Sequence, residues 1–254
     1  MGGVIYIGDR DVGKTHLALE LSNQKKDYVM TSLDYDVLKR NLWDSTEGRT
    51  SGTRADRAVY QTDMEVKVKL VTGWKVIYSS WLDTPGDIWR GTWQKDNPNL
   101  FKTFLDLIKD TEGILLILPP YREIIDPKKD DPENHISRQQ WIRRFNRWID
   151  FFKNDCPRVR HLLLCLNKVD LCCVDYQAEA KLLKYKPSGQ IKNWQEKHEY
   201  VYYRYFRPFH DQIQDLNSSI HGLAVRCFIT TIHSRELLEL PWIYLGTHLA
   251  QDRL

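Results

Sequence analysis

Two glycines, a lysine and a threonine in Gly8-Asp9-Arg10-Asp11-Val12-Gly13-Lys14-Thr15 stand at a spacing that suits phosphate oxygens. Successive backbone N–H groups wrap an oxyanion only where no side chain intervenes and the turn is free to visit positive φ, which Gly8 and Gly13 allow. Asp9, Arg10, Asp11 and Val12 would supply the intervening amides. Lys14 is placed to neutralise the β- and γ-phosphates of a nucleotide, and the Thr15 hydroxyl to bind Mg²⁺. A helix starting here, with His16 in its first turn, adds the anion preference of its N-terminus.

A second string, Asp83-Thr84-Pro85-Gly86, leaves an apolar run. Asp83 suits the magnesium-side carboxylate of such a site, and the Gly86 amide can meet a γ-phosphate and hinge when it departs. Alone, the string is also an ordinary turn. The third string, Asn167-Lys168-Val169-Asp170, can read a base. A carboxylate at Asp170 accepts from the N1–H and N2–H₂ edge of guanine, which adenine lacks, and loss of a designed polar contact discriminates strongly. Asn167 would brace the loop near N7, and the Lys168 stem would lie along the base. That all three strings sit at strand ends, in this order, favours one guanine nucleotide site over three unrelated turns.

The elements that must position them are legible from periodicity. Val4-Ile5-Tyr6-Ile7 reads as a strand, and His16 to Leu21 as the helix after the phosphate turn. Asn23 to Asp63 is polar and irregular apart from a short strand at Tyr28-Val29-Met30. Met64 to Leu82 reads as a hairpin: Val66, Val68 and Leu70 alternate with Lys67 and Lys69, Gly73 turns, and the return strand delivers Asp83. Leu100 to Lys109 is a helix, and Ile114 to Leu118 and Leu162 to Leu166 are strands apolar on both faces.

Pro119 to Asn134 is an inserted loop, after which Ser137 and Gln140 form a capping box. The helix it opens gathers Trp141, Phe145, Trp148, Ile149 and Phe152 on one face, for the core or for a docking partner. A last strand spans Ala224 to Ile229, and a closing helix Arg235 to Ala250 contains the weakening Pro241 and Gly246. Strands alternating with helices predict an α/β architecture: a mainly parallel sheet with one antiparallel edge strand, helices on both faces, and ligands at the C-terminal strand ends. The expectation is a single domain over 1–254 with insertions near 119–135 and 175–222.

The formal charge of +3 advertises neither nucleic acid nor an anionic surface. In the second insertion Tyr200, Tyr202, Tyr203, Tyr205, Phe206 and Phe209 interleave with Arg204 and Arg207. Single-stranded nucleic acid binders use that combination, but a helix packing its aromatic face on the core accounts for it more simply. Five cysteines show no metal-ligand spacing; adjacent Cys172 and Cys173 read as small buried residues rather than redox or acylation sites. A reducing cytoplasm is expected. No apolar run approaches a membrane span, Tyr6 departs from the myristoylation pattern, and no prenylation cysteine is present, so no anchor is expected.

The three strings resemble those of translation-factor-class P-loop GTPases, similar to Ras-like and Rab-like small GTPases. That resemblance implies the three-layer P-loop NTPase fold, GTP/GDP and Mg²⁺ as ligands, and a conformational switch read by a protein effector or activating partner. It also implies a magnesium-capping threonine in the first switch: Thr62, with Thr53 and Thr50 as competitors. A base-supporting loop after the last strand would fall on Thr231 and Ile232. Two positions depart from the family. Asp87 stands where many members have a water-orienting glutamine, and Arg10 where Ras-like members have glycine. Arg10 either points to solvent or approaches the γ-phosphate. Slow or partner-dependent GTP hydrolysis is therefore expected, with a catalytically weak guanine-nucleotide scaffold as the alternative.

Overall fold

Apolar strands alternating with helices build the molecule around one seven-stranded sheet. The computed structural model describes residues 3–249 except 10, 24–27, 45–48, 51–59, 84–90, 188, 190 and 191; the side chains of 41–44, 49, 50, 60–62, 81–83 and 91 are likewise outside the described set. The elements begin β1 (Gly3–Gly8), α1 (Lys14–Ser22), β2 (Val29–Thr31), α2 (Tyr35–Leu42) and a two-stranded ribbon β3 (Trp43–Asp44) with β4 (Arg49–Thr50). They continue β5 (Tyr60–Leu70), β6 (Gly73–Asp83), α3 (Gly91–Asp96), α4 (Pro98–Lys109), β7 (Thr111–Leu118) and α5 (Arg138–Asp155). Then come β8 (His161–Leu166), α6 (Tyr176–Leu183), α7 (Trp194–Val201), α8 (His210–Ser219), β9 (Ala224–Ile229) and α9 (Arg235–His248).

The main sheet has seven strands in the order β2-β5-β6-β1-β7-β8-β9. β6, β1, β7, β8 and β9 are mutually parallel, and β5 runs against β6. The antiparallel strand expected at the edge is thus present, with the short β2 pairing on its outer side through Val29↔Val68. Pairing of Gly8 with Ile117, Leu118 with Leu166 and Leu166 with Ile229 brings the parallel strands to a common end. The register that pairs Tyr6 with Trp81 carries Asp83 to the same level.

Ile114 to Ile117 and Leu162 to Leu166 are buried, as strands covered on both faces must be. Each such side chain contributes about 1.5–3 kcal/mol of burial. The Ser137 capping box forms, and Trp141, Phe145, Trp148, Ile149 and Phe152 are buried. The segment leading into α8 completes that layer: Phe209 stacks on Trp141 at 3.7 Å and Phe145 at 4.1 Å between ring centroids. The aromatic stripe is therefore core. All five cysteines are unpaired, and burial pushes the Cys172 thiol up to about 12.

α2 and the β3–β4 ribbon differ from the sequence reading, whereas the closing helix α9 bears it out. α2 lies inside a stretch expected to be irregular; Asp34 begins it by accepting from the Val37 N–H at 3.0 Å, and Leu38 is its buried anchor. α9 continues through Pro241 because Leu237 to Gly246 are all buried, and this packing outweighs the lost backbone bond. Gly246 permits the approach to β5: a Cβ there would stand 3.0 Å from Val68.

Candidate functional site

The β1–α1 turn has the backbone its composition demands. Gly13 sits at φ 89°, ψ 20° as the residue before α1, and a Cβ on it would lie 2.6 Å from Asn167 Nδ2. A Cβ on Gly8 would lie 2.5 Å from the Ile117 carbonyl. Asp11 also takes positive φ, at 61°. Lys14 is buried beneath the turn, donating from Nζ to the Gly8 and Asp9 carbonyls, each at 2.9 Å. An ammonium folded back under a turn of backbone amides makes a cradle that can hold phosphate oxygens. Thr15 and His16 follow in the first turn of α1, both half-buried. Burial, then the Lys168 charge, lowers the His16 pKa.

The Asn167–Asp170 turn joins this cradle directly. Asn167 Nδ2 donates to the Val12 carbonyl at 2.8 Å, and Lys168 Nζ to the Asp11 carbonyl at 3.3 Å. Lys168 has φ 57°, which swings the chain off β8 into the turn Val169–Leu171. From the turn after β9, Thr230 Oγ1 donates to Asn167 Oδ1 at 3.2 Å and Thr231 Oγ1 to Asp170 Oδ1 at 2.5 Å. His233 Nε2 lies 4.0 Å from the other carboxylate oxygen of Asp170. Asp170 retains 19 % side-chain exposure. Ile232 is exposed beside it.

α5 closes the cradle from the other flank. Arg144 Nη1 lies 3.9 Å from Asp9 Oδ2. Burial raises the Asp9 pKa, while Arg144, Arg147, Lys14 and a hydrogen bond from Trp148 oppose the rise. These cations offset part of the cost of burying its charge.

Among the residues expected from sequence, the structure brings together Gly8, Asp9, Asp11, Val12, Gly13, Lys14, Thr15, His16, Asn167, Lys168, Asp170, Thr231 and Ile232 at one end of the sheet. Arg10, Thr53, Gly86 and Asp87 lie outside the described residues. Asp83 closes β6, Thr62 pairs with Trp81 in β5, and Thr50 lies in β4; their side chains are outside the described set. Sequence reading missed Thr230 and His233, which flank the expected Thr231, and missed Arg144, whose helix was read only for its apolar face. Among the described residues no group of three or more His, Cys, Asp or Glu forms a metal cage.

No protein-family model matches the chain, and no curated protein matches it. Solved structures match it at low identity. The Chaetomium thermophilum signal recognition particle receptor SRb-GTP/SRX complex matches at 15 % identity and TM-score 0.45, over 97 % of this chain and 98 % of that one. A GTP-binding protein from Sulfolobus solfataricus in complex with GDP matches at 13 % identity and TM-score 0.45, over 98 % of this chain and 53 % of its own. The Saccharomyces cerevisiae Ski7 GTPase-like domain, bound to GDP and inorganic phosphate, matches at 15 % and 0.41, over 91 % and 43 %. This chain thus spans about half the length of the latter two. At such identities and scores these matches carry no argument, and the chemistry of the site rests on its own geometry.

Proposed function

We propose that this chain binds GTP and GDP with Mg²⁺ and hydrolyses GTP to GDP and phosphate, serving as a conformational switch with slow or partner-dependent turnover. The observation that carries this reading is the junction of Asn167 and Lys168 with the Val12 and Asp11 carbonyls. It ties the turn read here as a phosphate cradle to the turn read as the base reader. The amides of the Gly8–Gly13 turn wrap the phosphates, and Lys14 exchanges its two carbonyl partners for phosphate oxygens. Asp170, oriented by Thr231 and flanked by Ile232, accepts from the guanine edge.

Thr15, Thr62 and Asp83 offer hydroxyl and carboxylate oxygens, a hard donor set that suits Mg²⁺. The bound ion would neutralise charge developing on the phosphate oxygens. Thr62, in preference to Thr53 or Thr50, and the Gly86 amide sense the γ-phosphate. A protein effector or activating partner in the cytoplasm reads the difference between the two nucleotide states. No described helix is long and apolar enough to cross a membrane.

Asp87, where the resembled family has glutamine, favours slow turnover, and in the limit a catalytically weak scaffold. Phosphate release by the purified protein in GTP and Mg²⁺ separates the cases. Turnover at or below about 10⁻² s⁻¹, as in unassisted GTPases, is expected. Release at buffer background would leave the scaffold, and turnover of several per second would contradict partner dependence. In the same assay, an unchanged rate in Arg10→Ala removes Arg10 as an arginine finger.

A further inference from the structure

The segment between β7 and α5 does more than connect them. Lys129 Nζ donates to the Asp170 carbonyl at 2.7 Å and the Cys173 carbonyl at 2.5 Å. The Asp126 N–H donates to the Leu171 carbonyl at 3.0 Å. Three carbonyls of the base-reading turn thus accept from this one segment, which is itself built and not slack. Arg122 pairs with Glu133 at 3.2 Å and donates from Nε to the His135 carbonyl at 3.3 Å, and His135 pairs with Asp130 at 3.0 Å. Trp141 of α5 donates to the Pro119 carbonyl at 2.8 Å, and Tyr121 and Ile125 are buried.

We propose that Lys129 is a positioning residue for base recognition: it pins the backbone of Asp170 so that both carboxylate oxygens face the ligand edge. The inference rests on the guanine reading above. Thr231 orients the Asp170 side chain from one side. Its backbone, on a short turn entered through the left-handed Lys168, is held from the other by Lys129. A charged donor shared between two carbonyls is stronger than a neutral one and resists rotation of the peptide between them.

The test is the affinity ratio between GTP and inosine triphosphate, which keeps N1–H but lacks the exocyclic amine. If both carboxylate oxygens are engaged, the wild type prefers GTP. Lys129→Met should weaken GTP binding about 3- to 10-fold while leaving inosine triphosphate nearly unchanged, and Lys129→Arg should restore the ratio. Equal losses for both nucleotides, or none, would overturn the proposal. A wild-type ratio of one would overturn the proposal too, because the second carboxylate oxygen would then have no amine to meet, whereas equal wild-type affinity for GTP and ATP would overturn the guanine reading itself, so the two failures are distinguishable. Lys129 is exposed, and a thermal melt of Lys129→Met matching wild type shows that the fold is intact.

Discussion

Asn167→Ala probes the junction on which the site depends. The side chain is 3 % exposed and makes two hydrogen bonds, to the Val12 carbonyl at 2.8 Å and from the Thr230 hydroxyl at 3.2 Å. Truncation leaves a buried carbonyl and a buried hydroxyl without partners, each costing about 1–3 kcal/mol. The Thr230 hydroxyl can rotate and the cradle admits water, so the total should fall near 2–4 kcal/mol. Urea unfolding without nucleotide measures it directly. Thr230→Val, which removes one of the two bonds, should cost about 1 kcal/mol and be non-additive with Asn167→Ala. The account of Asn167 as a tie between two turns is wrong if the apo protein loses less than about 0.5 kcal/mol while GTP binding weakens tenfold. That result would make Asn167 a direct ligand contact.

Two further predictions concern charge. Asp9 has a pKa raised by burial, so the folded state holds its proton more tightly than the unfolded chain. The stability difference between Asp9→Asn and wild type should therefore grow as pH rises from the ordinary 3.8 through the folded value, and level off above it. A difference that shrinks with rising pH in parallel urea series would show that Arg144, Arg147 and Lys14 dominate instead. The second concerns the clamp between α9, the end of α1 and β2. Arg235 pairs with Glu239 at 2.8 Å and donates to the Glu20, Leu21 and Val29 carbonyls, while Glu239 accepts from the Tyr28 and Val29 amides. Arg235→Ala strands a buried carboxylate and should cost about 3–5 kcal/mol by urea unfolding; a loss under 1 kcal/mol would show the pair to be hydrated.

The legible parts of this molecule are those set by local rules. Apolar runs such as Ile114 to Leu118 and the Ser137–Gln140 cap announce their elements because burial and capping act over a few residues. The glycines of the β1–α1 turn are legible because no other residue fits beside Ile117 and Asn167. α2 was hidden because its anchor, Leu38, stands among polar residues and its Asp34 cap resembles any turn aspartate. The bonds from Lys129, Thr230 and Arg144 were hidden for another reason. Each joins segments far apart in the chain, and a lone lysine, threonine or arginine carries no periodicity from which its partner can be read.

The central claim is that the junction at the end of the sheet selects guanine through Asp170. Titrating GTP, GDP and ATP against the purified protein with and without Mg²⁺, in wild type and Asp170→Ala, tests it most directly. The account predicts Mg²⁺-dependent preference for guanine nucleotides of at least about 100-fold, collapsing in Asp170→Ala, with the apo protein losing about 1–3 kcal/mol because the buried Thr231 hydroxyl loses its carboxylate partner. Equal affinity for ATP and GTP in the wild type would contradict it.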